Sequence, residues 1–128
     1  MKKVPEVLDS IMKQYKSSLE IISDLKARQK ALKKAGLEYG SPNYKNGRYL
    51  RIVKPASGDN GRQFQYIGAD PEKQKAVLEA IDRGREYDEL GKKIADLSNA
   101  LAKLEHDLEY VESGFIWSHQ VATGRAIA

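Results

Sequence analysis

The chain has 128 residues, no cysteine, and 22 Lys and Arg against 18 Asp and Glu, for a net charge of +4. One domain is the expected count at this length, and two Phe and one Trp in a chain that is 31% charged imply a modest core. The lack of cysteine excludes disulfide frameworks, thiolate nucleophiles and Cys-based zinc sites. No run approaches the ~20 apolar residues of a membrane span, so a cytoplasmic protein without a membrane role is expected.

Residues 4–35 place Leu8, Tyr15, Ile22 and Gln29 at one heptad position and Ile11, Ser18, Leu25 and Leu32 at another. This 3-4 spacing is the seam of a helix, and Val7, Met12, Leu19 and Ile21 widen the stripe. Pro5 suits a first turn and Gly36 a stop, so the spacing predicts a helix over about 5–35.

Residues 36–69 differ in kind. They hold six of the ten glycines and lose the helical period. The runs 48–54 and 62–67 are β-prone. Between them, Pro55-Ala56-Ser57-Gly58-Asp59-Asn60-Gly61 is dense in turn formers and contains an Asn-Gly pair. The pattern predicts a β-hairpin over about 47–68. A lone hairpin is marginal in water, so it must pack on the helices or on another copy.

Asp70-Pro71-Glu72 opens a second helix, with an N-cap, a first-turn proline and an acid at the positive end of the dipole. Its seam reads Ala80, Tyr87, Ile94, Leu101 and Leu108 with Arg83, Leu90, Leu97, Leu104 and Val111, and Ser113-Gly114 suits an end. The expectation is a helix over about 70–112 and an apolar tail over 113–128. Gly84, Gly91 and Ser98 share one heptad position beside the seam. They read either as a groove that admits another backbone or as tolerated glycines costing about 1 kcal/mol each.

The expected fold is therefore mainly α (α+β): two long antiparallel coiled-coil-like helices joined by a β-hairpin. At 1.5 Å per residue the helices span about 48 and 63 Å. If they start level at the hairpin, the second overhangs by roughly ten residues. Leu104, Leu108 and Val111 then lack a partner within the chain, and Phe115, Ile116 and Trp117 add apolar surface. A homodimer or higher homo-oligomer through these six residues is expected; the alternative is a tail folded back within one chain.

Charge is unevenly spread. Residues 26–68 carry Lys26, Arg28, Lys30, Lys33, Lys34, Lys45, Arg48, Arg51, Lys54 and Arg62 against Glu38 and Asp59 alone. Residues 69–128 carry eight Lys and Arg against twelve acids. Tyr39, Tyr44, Tyr49, Phe64 and Tyr66 share the basic stretch. Strand alternation puts Tyr49, Arg51 and Val53 on one face of the first strand, and Arg62, Phe64 and Tyr66 on one face of the second. Cations among rings on a small sheet suit nucleic acid, with phosphate on the cations and bases on the rings. The plainer alternative is that the rings are a packing face and the cations its solvated rim.

No catalytic constellation is present in the sequence. His106 and His119 are far apart and both read as solvated; helix neighbours of His106 point to other faces. Two distant histidines offer no metal site, and Gly58-Asp59-Asn60-Gly61 lacks the Lys-Ser/Thr of a phosphate loop. Asp82, Glu86, Asp88 and Glu89 spread around a helix as a solvated face does. Neither enzyme activity nor a cofactor is expected.

Gly47-Arg48-Tyr49-Leu50-Arg51, then Arg62-Gln63-Phe64-Gln65-Tyr66-Ile67-Gly68 and a Glu/Lys-rich helix, is similar over residues 45–105 to small uncharacterised proteins of bacterial mobile elements. Those pair a basic hairpin with a long helix. The resemblance implies that order of elements, brings no catalytic residues, and places the chain in the company of phage and plasmid proteins that block host complexes, anti-CRISPR proteins among them. Helices joined by a hairpin also resemble prefoldin-like chains in outline, which by analogy implies binding at helix tips.

Two readings stand at this point. In one, Lys45, Arg48, Arg51, Lys54 and Arg62 with Tyr49, Phe64 and Tyr66 bind DNA or RNA. In the other, the same surface or the Phe115-Ile116-Trp117 segment docks on a host protein complex as an inhibitor or adaptor.

Overall fold

Five elements follow along the chain: α1 (Val4–Ala35), β1 (Ser41–Lys45), β2 (Tyr49–Lys54), β3 (Gln63–Gly68) and α2 (Pro71–Thr123). The computed structural model describes residues 2–56, 58 and 61–125. Most of these are helical, and the three strands form one antiparallel sheet in the order β1-β2-β3. No helix among the described residues is long and apolar enough to cross a membrane.

The caps act as their chemistry suggests. Gly36 has φ 108° and its N–H donates to the Leu32 carbonyl at 3.1 Å, closing α1 with a left-handed glycine. The Glu72 N–H donates to Asp70 Oδ1 at 3.0 Å, capping α2 at its start. The far end of α2 differs from expectation. The helix runs through Ser113-Gly114 to Thr123 and closes at Gly124, with φ 68° and its N–H on the Gln120 carbonyl at 2.8 Å. A single interior glycine costs only about 1 kcal/mol, too little to stop a long helix. Residues 113–123 are therefore helix and not an irregular tail.

The expected hairpin is also incomplete. β1 adds a third strand, joined to β2 through Asn46-Gly47 with φ 56° and 66°. The Arg48 N–H donates to the Lys45 carbonyl across this turn at 3.3 Å. Two successive positive φ angles are what a tight hairpin turn of this hand demands. β1 is exposed along its whole length, so no apolar alternation marks it in the sequence. Ser57, Asp59 and Asn60 of the expected β2–β3 turn lie outside the described residues.

The sheet is anchored by one face of β2. Leu50 and Ile52 are fully buried and pack with Ile81, and Ile67, Val77 and Leu78 close around them. Gln74 Nε2 donates to the Arg48 and Gly68 carbonyls at 3.0 and 2.7 Å, tying both strands to the start of α2.

The chain divides into two compact units, Asp24–Lys92 and Met1–Ser23 with Lys93–Ala128. In the first, the Arg28 guanidinium donates twice to the Glu86 carboxylate, 3.1 Å each, and Gln29 Nε2 donates to the Tyr87 carbonyl at 3.0 Å. Arg83 Nε donates to the Gly36 carbonyl at 2.7 Å, and the Glu38 N–H donates to the Ala80 carbonyl at 3.1 Å. Contacts descend α2 as they climb α1, so the segments run antiparallel. In the second unit, the Tyr15 hydroxyl donates to Glu105 Oε1 at 3.4 Å. There Ile11, Met12 and Tyr15 meet Leu104 and Leu108 around one hollow.

Those contacts correct the expected overhang. Leu104 and Leu108 are half-buried against α1, while Val111 stays 62% exposed. The helices do not start level, because the first three turns of α2 lie under the sheet and Gly36 stands beside Arg83. The predicted seam positions from Ile11 to Leu32 on α1, and from Ala80 to Leu108 on α2, are all buried or half-buried.

Gly84 is buried where the Glu38-Tyr39 segment crosses α2. A Cβ there would stand 2.6 Å from the Glu38 carbonyl oxygen and 3.2 Å from the Tyr39 ring. At Gly91 it would meet only the Gln29 side-chain amide, at 3.2 Å. At Gly84 the groove is thus occupied by the chain's own Glu38-Tyr39 segment, while Ser98 is exposed. Gly84→Ala is expected to lower unfolding free energy by about 1–2 kcal/mol, overpacking outweighing the helical gain. Gly91→Ala, whose Cβ meets only the Gln29 amide that donates to Tyr87, is expected to change stability by less than about 1 kcal/mol, the helical gain offsetting the shift of that amide. Urea unfolding followed by circular dichroism distinguishes them, and equal effects would contradict this packing.

Candidate functional site

Burial of Leu50 and Ile52 decides which sheet face is free. Residues of opposite parity on β2, namely Tyr49, Arg51 and Val53, stand on the outer face. In register, Asn43 and Tyr66 flank Arg51, Lys45 pairs with Tyr49, and Phe64 pairs with Val53. Tyr49, Phe64 and Tyr66 are 47%, 42% and 74% exposed.

The cations are held among these rings. The Arg51 guanidinium lies 4.6 Å from the Phe64 ring centroid, and its Nε donates to Asn43 Oδ1 at 3.0 Å. Such a cation–π contact contributes about 0.5–1 kcal/mol at an exposed site. Arg48 lies 5.8 Å from the Tyr49 ring. Lys45, Asn46, Tyr49, Leu50, Arg51, Tyr66 and Gly68 line an open hollow of about 400 Å³. A second hollow, about 560 Å³, lies along Ser41, Asn43, Val53, Pro55 and Arg62. Among the described residues, no ion pair involves Lys45, Arg48, Arg51 or Arg62.

Of the eight sheet residues singled out in the sequence, the structure gathers Lys45, Tyr49, Arg51 and Tyr66 around one hollow. Phe64 lies beside them, Arg48 next to Tyr49, and Arg62 at the second hollow. Lys54 stands apart. It shares the parity of Leu50 and Ile52, and its Nζ pairs with Glu38 Oε1 at 3.1 Å. Asn43 and Asn46 were not among the expected residues, since β1 itself was not; the Asn46-Gly47 pair was the available signal.

The other unit carries a different surface. Val4, Leu8, Leu108, Val111 and Phe115 line an apolar hollow of about 560 Å³. Ile116 is half-buried and Trp117 is 67% exposed. His106 is exposed, but His119 is half-buried with its ring 6.3 Å from that of Phe115, because helix α2 extends past it. Among the described residues, no group of three or more His, Asp or Glu could hold a metal.

Among the described residues, three groups are shifted from their ordinary ranges, all off the outer sheet face. Hydrogen bonding to Glu86 and its charge raise Arg28. Burial, then the Asp88 carboxylate that accepts from its hydroxyl, raises Tyr39. A hydrogen bond from Lys103 lowers Asp107. Comparison of the chain with protein-family models, curated proteins and solved structures found no match.

The Asn46-Gly47 turn positions Lys45 and the Tyr49 end of the face. Gly47→Ala is expected to cost about 1–2 kcal/mol, since it puts a Cβ on a left-handed residue, while nothing within 4 Å obstructs that Cβ. Amide exchange should rise in β1 with helical ellipticity unchanged. Undiminished protection of β1 would contradict the turn geometry.

Proposed function

We propose that this protein acts by binding, without catalysis, and that the outer face of its sheet contacts nucleic acid. One observation carries the reading: exposed rings and cations that make no ion pair among the described residues share the face opposite the core. Rings and arginines together also suit a protein interface, but a polyanion with flat faces uses both at every unit. Every base has a π-face to stack and every phosphate a charge to neutralise.

Affinity is expected to fall steeply with salt, because each phosphate contact releases counterions. Arg51→Ala with Arg62→Ala should weaken binding at least tenfold and reduce the slope of log K against log salt by about 2. Lys54→Ala, on the other face, should change affinity little. Fluorescence anisotropy with labelled oligonucleotides across a salt series reads all three. Unchanged affinity in the folded double variant would refute the site, and protein-only capture would favour a docking module.

We further infer that the apolar end of α2 meets a second copy, extending the coiled-coil-like helix pair into an oligomer. Tyr110, Phe115 and Trp117 are 79%, 67% and 67% exposed; aromatic side chains present about 150–250 Å² each. Val4, Leu8, Val111 and Phe115, also exposed, line one apolar hollow at this end, which gives a second copy a place to seat. Light scattering is expected to give a dimer mass, and Phe115→Asp with Trp117→Asp a monomer. A wild-type monomer at high micromolar concentration would refute the interface.

A further inference from the structure

We infer that the ligand of the outer face is single-stranded, and that the hollow beside Tyr49 and Tyr66 seats one unpaired base. This inference rests on the nucleic-acid reading above and specifies what that site takes.

The hollow has an identifiable origin in the strand register. Between β2 and β3 the pairing shifts, with Arg51 opposite Tyr66 and Leu50 opposite Gly68. The extra residue is Ile67, which packs toward the core. Bulges of this kind re-aim side chains near functional sites. β3 ends at Gly68, which has no side chain to fill the space next to Tyr49. The hollow is thus lined by Leu50 and Gly68 with the Tyr49 and Tyr66 rings and the cations Lys45 and Arg51. At about 400 Å³ the space is at the small end of the ~300–1,000 Å³ typical of small-molecule sites. One nucleotide unit fits that scale.

Duplex is disfavoured for two reasons. Bases in a duplex are stacked on each other, so a protein ring reaches a base face only when the base is splayed out of a single strand. The sheet is also a poor fit to a groove. The major groove, about 12 Å wide, admits a helix or a two-stranded ribbon. Here a third strand separates the outer strand axes by roughly 10 Å before any side chain is counted.

The test compares a labelled single-stranded oligonucleotide with a duplex of the same sequence, by anisotropy at one fixed salt concentration. The single strand is expected to bind at least tenfold tighter. Base–ring stacking of about 1–3 kcal/mol predicts that Tyr49→Ala and Tyr66→Ala each weaken single-strand binding at least fivefold, with the salt slope unchanged. Tyr66→Phe, which keeps the ring, should retain binding. Tyr66 is 74% exposed, so its removal leaves the core intact. Equal affinity for duplex would overturn the base seat. So would ring variants that bind normally while the Arg51/Arg62 double variant fails, an outcome that leaves the electrostatic reading standing. No binding to any nucleic acid would overturn both.

Discussion

The packing of Leu50 and Ile52 against Ile81 governs most of what surrounds it. A three-stranded sheet with strands of five or six residues has little stability alone. Burying two aliphatic side chains of this size contributes about 1.5–3 kcal/mol each, and the apolar surface that receives them is the first turns of α2 together with Ile67. Once those turns lie under the sheet, α1 cannot end level with Pro71. Its end stands instead beside Arg83, and the Glu38-Tyr39 segment must cross α2 at Gly84, where no side chain obstructs it.

The helices were largely legible because heptad spacing reports burial directly. Ile22 and Leu32 on α1, and Leu90 on α2, are buried at seam positions. The relative placement of the helices was not legible, since it depends on a contact between β2 and α2 that no local period encodes. β1 was missed because Ser41-Pro42-Asn43-Tyr44-Lys45 buries nothing; edge pairing and a turn hold it, so hydrophobic alternation is silent. The end of α2 was misplaced because glycine was read as punctuation. Gly114 has open space around it and costs too little to interrupt a helix, whereas Gly124 takes the left-handed φ that a cap requires.

For the sheet face, parity correctly grouped Tyr49 with Arg51, and Phe64 with Tyr66, but parity cannot say which group faces inward. Both faces of β2 offer apolar residues: Leu50 and Ile52 on one, Tyr49 and Val53 on the other. The choice falls to the aliphatic pair, which fits beneath Val77, Leu78 and Ile81. That outcome leaves the larger rings outside. It also turns Lys54 away from the other cations, something a count of basic residues in the stretch could not reveal.

Net charge alone would then misplace the field. The first unit is rich in Lys and Arg, yet three of its cations are matched off the outer face: Arg28 by Glu86, Lys54 by Glu38 and Lys75 by Glu79. Exposed pairs of this kind add little stability, but they cancel local potential where they stand. Lys45, Arg48, Arg51 and Arg62 have no such pair among the described residues. Exposed lysines on α1, at 26, 30, 33 and 34, add a diffuse positive field that fades within about 10 Å at 0.1 M salt. Under the proposed function, long-range attraction of a polyanion would belong to the unit as a whole, and short-range contact to the sheet face, where the rings coincide with cations that make no ion pair among the described residues.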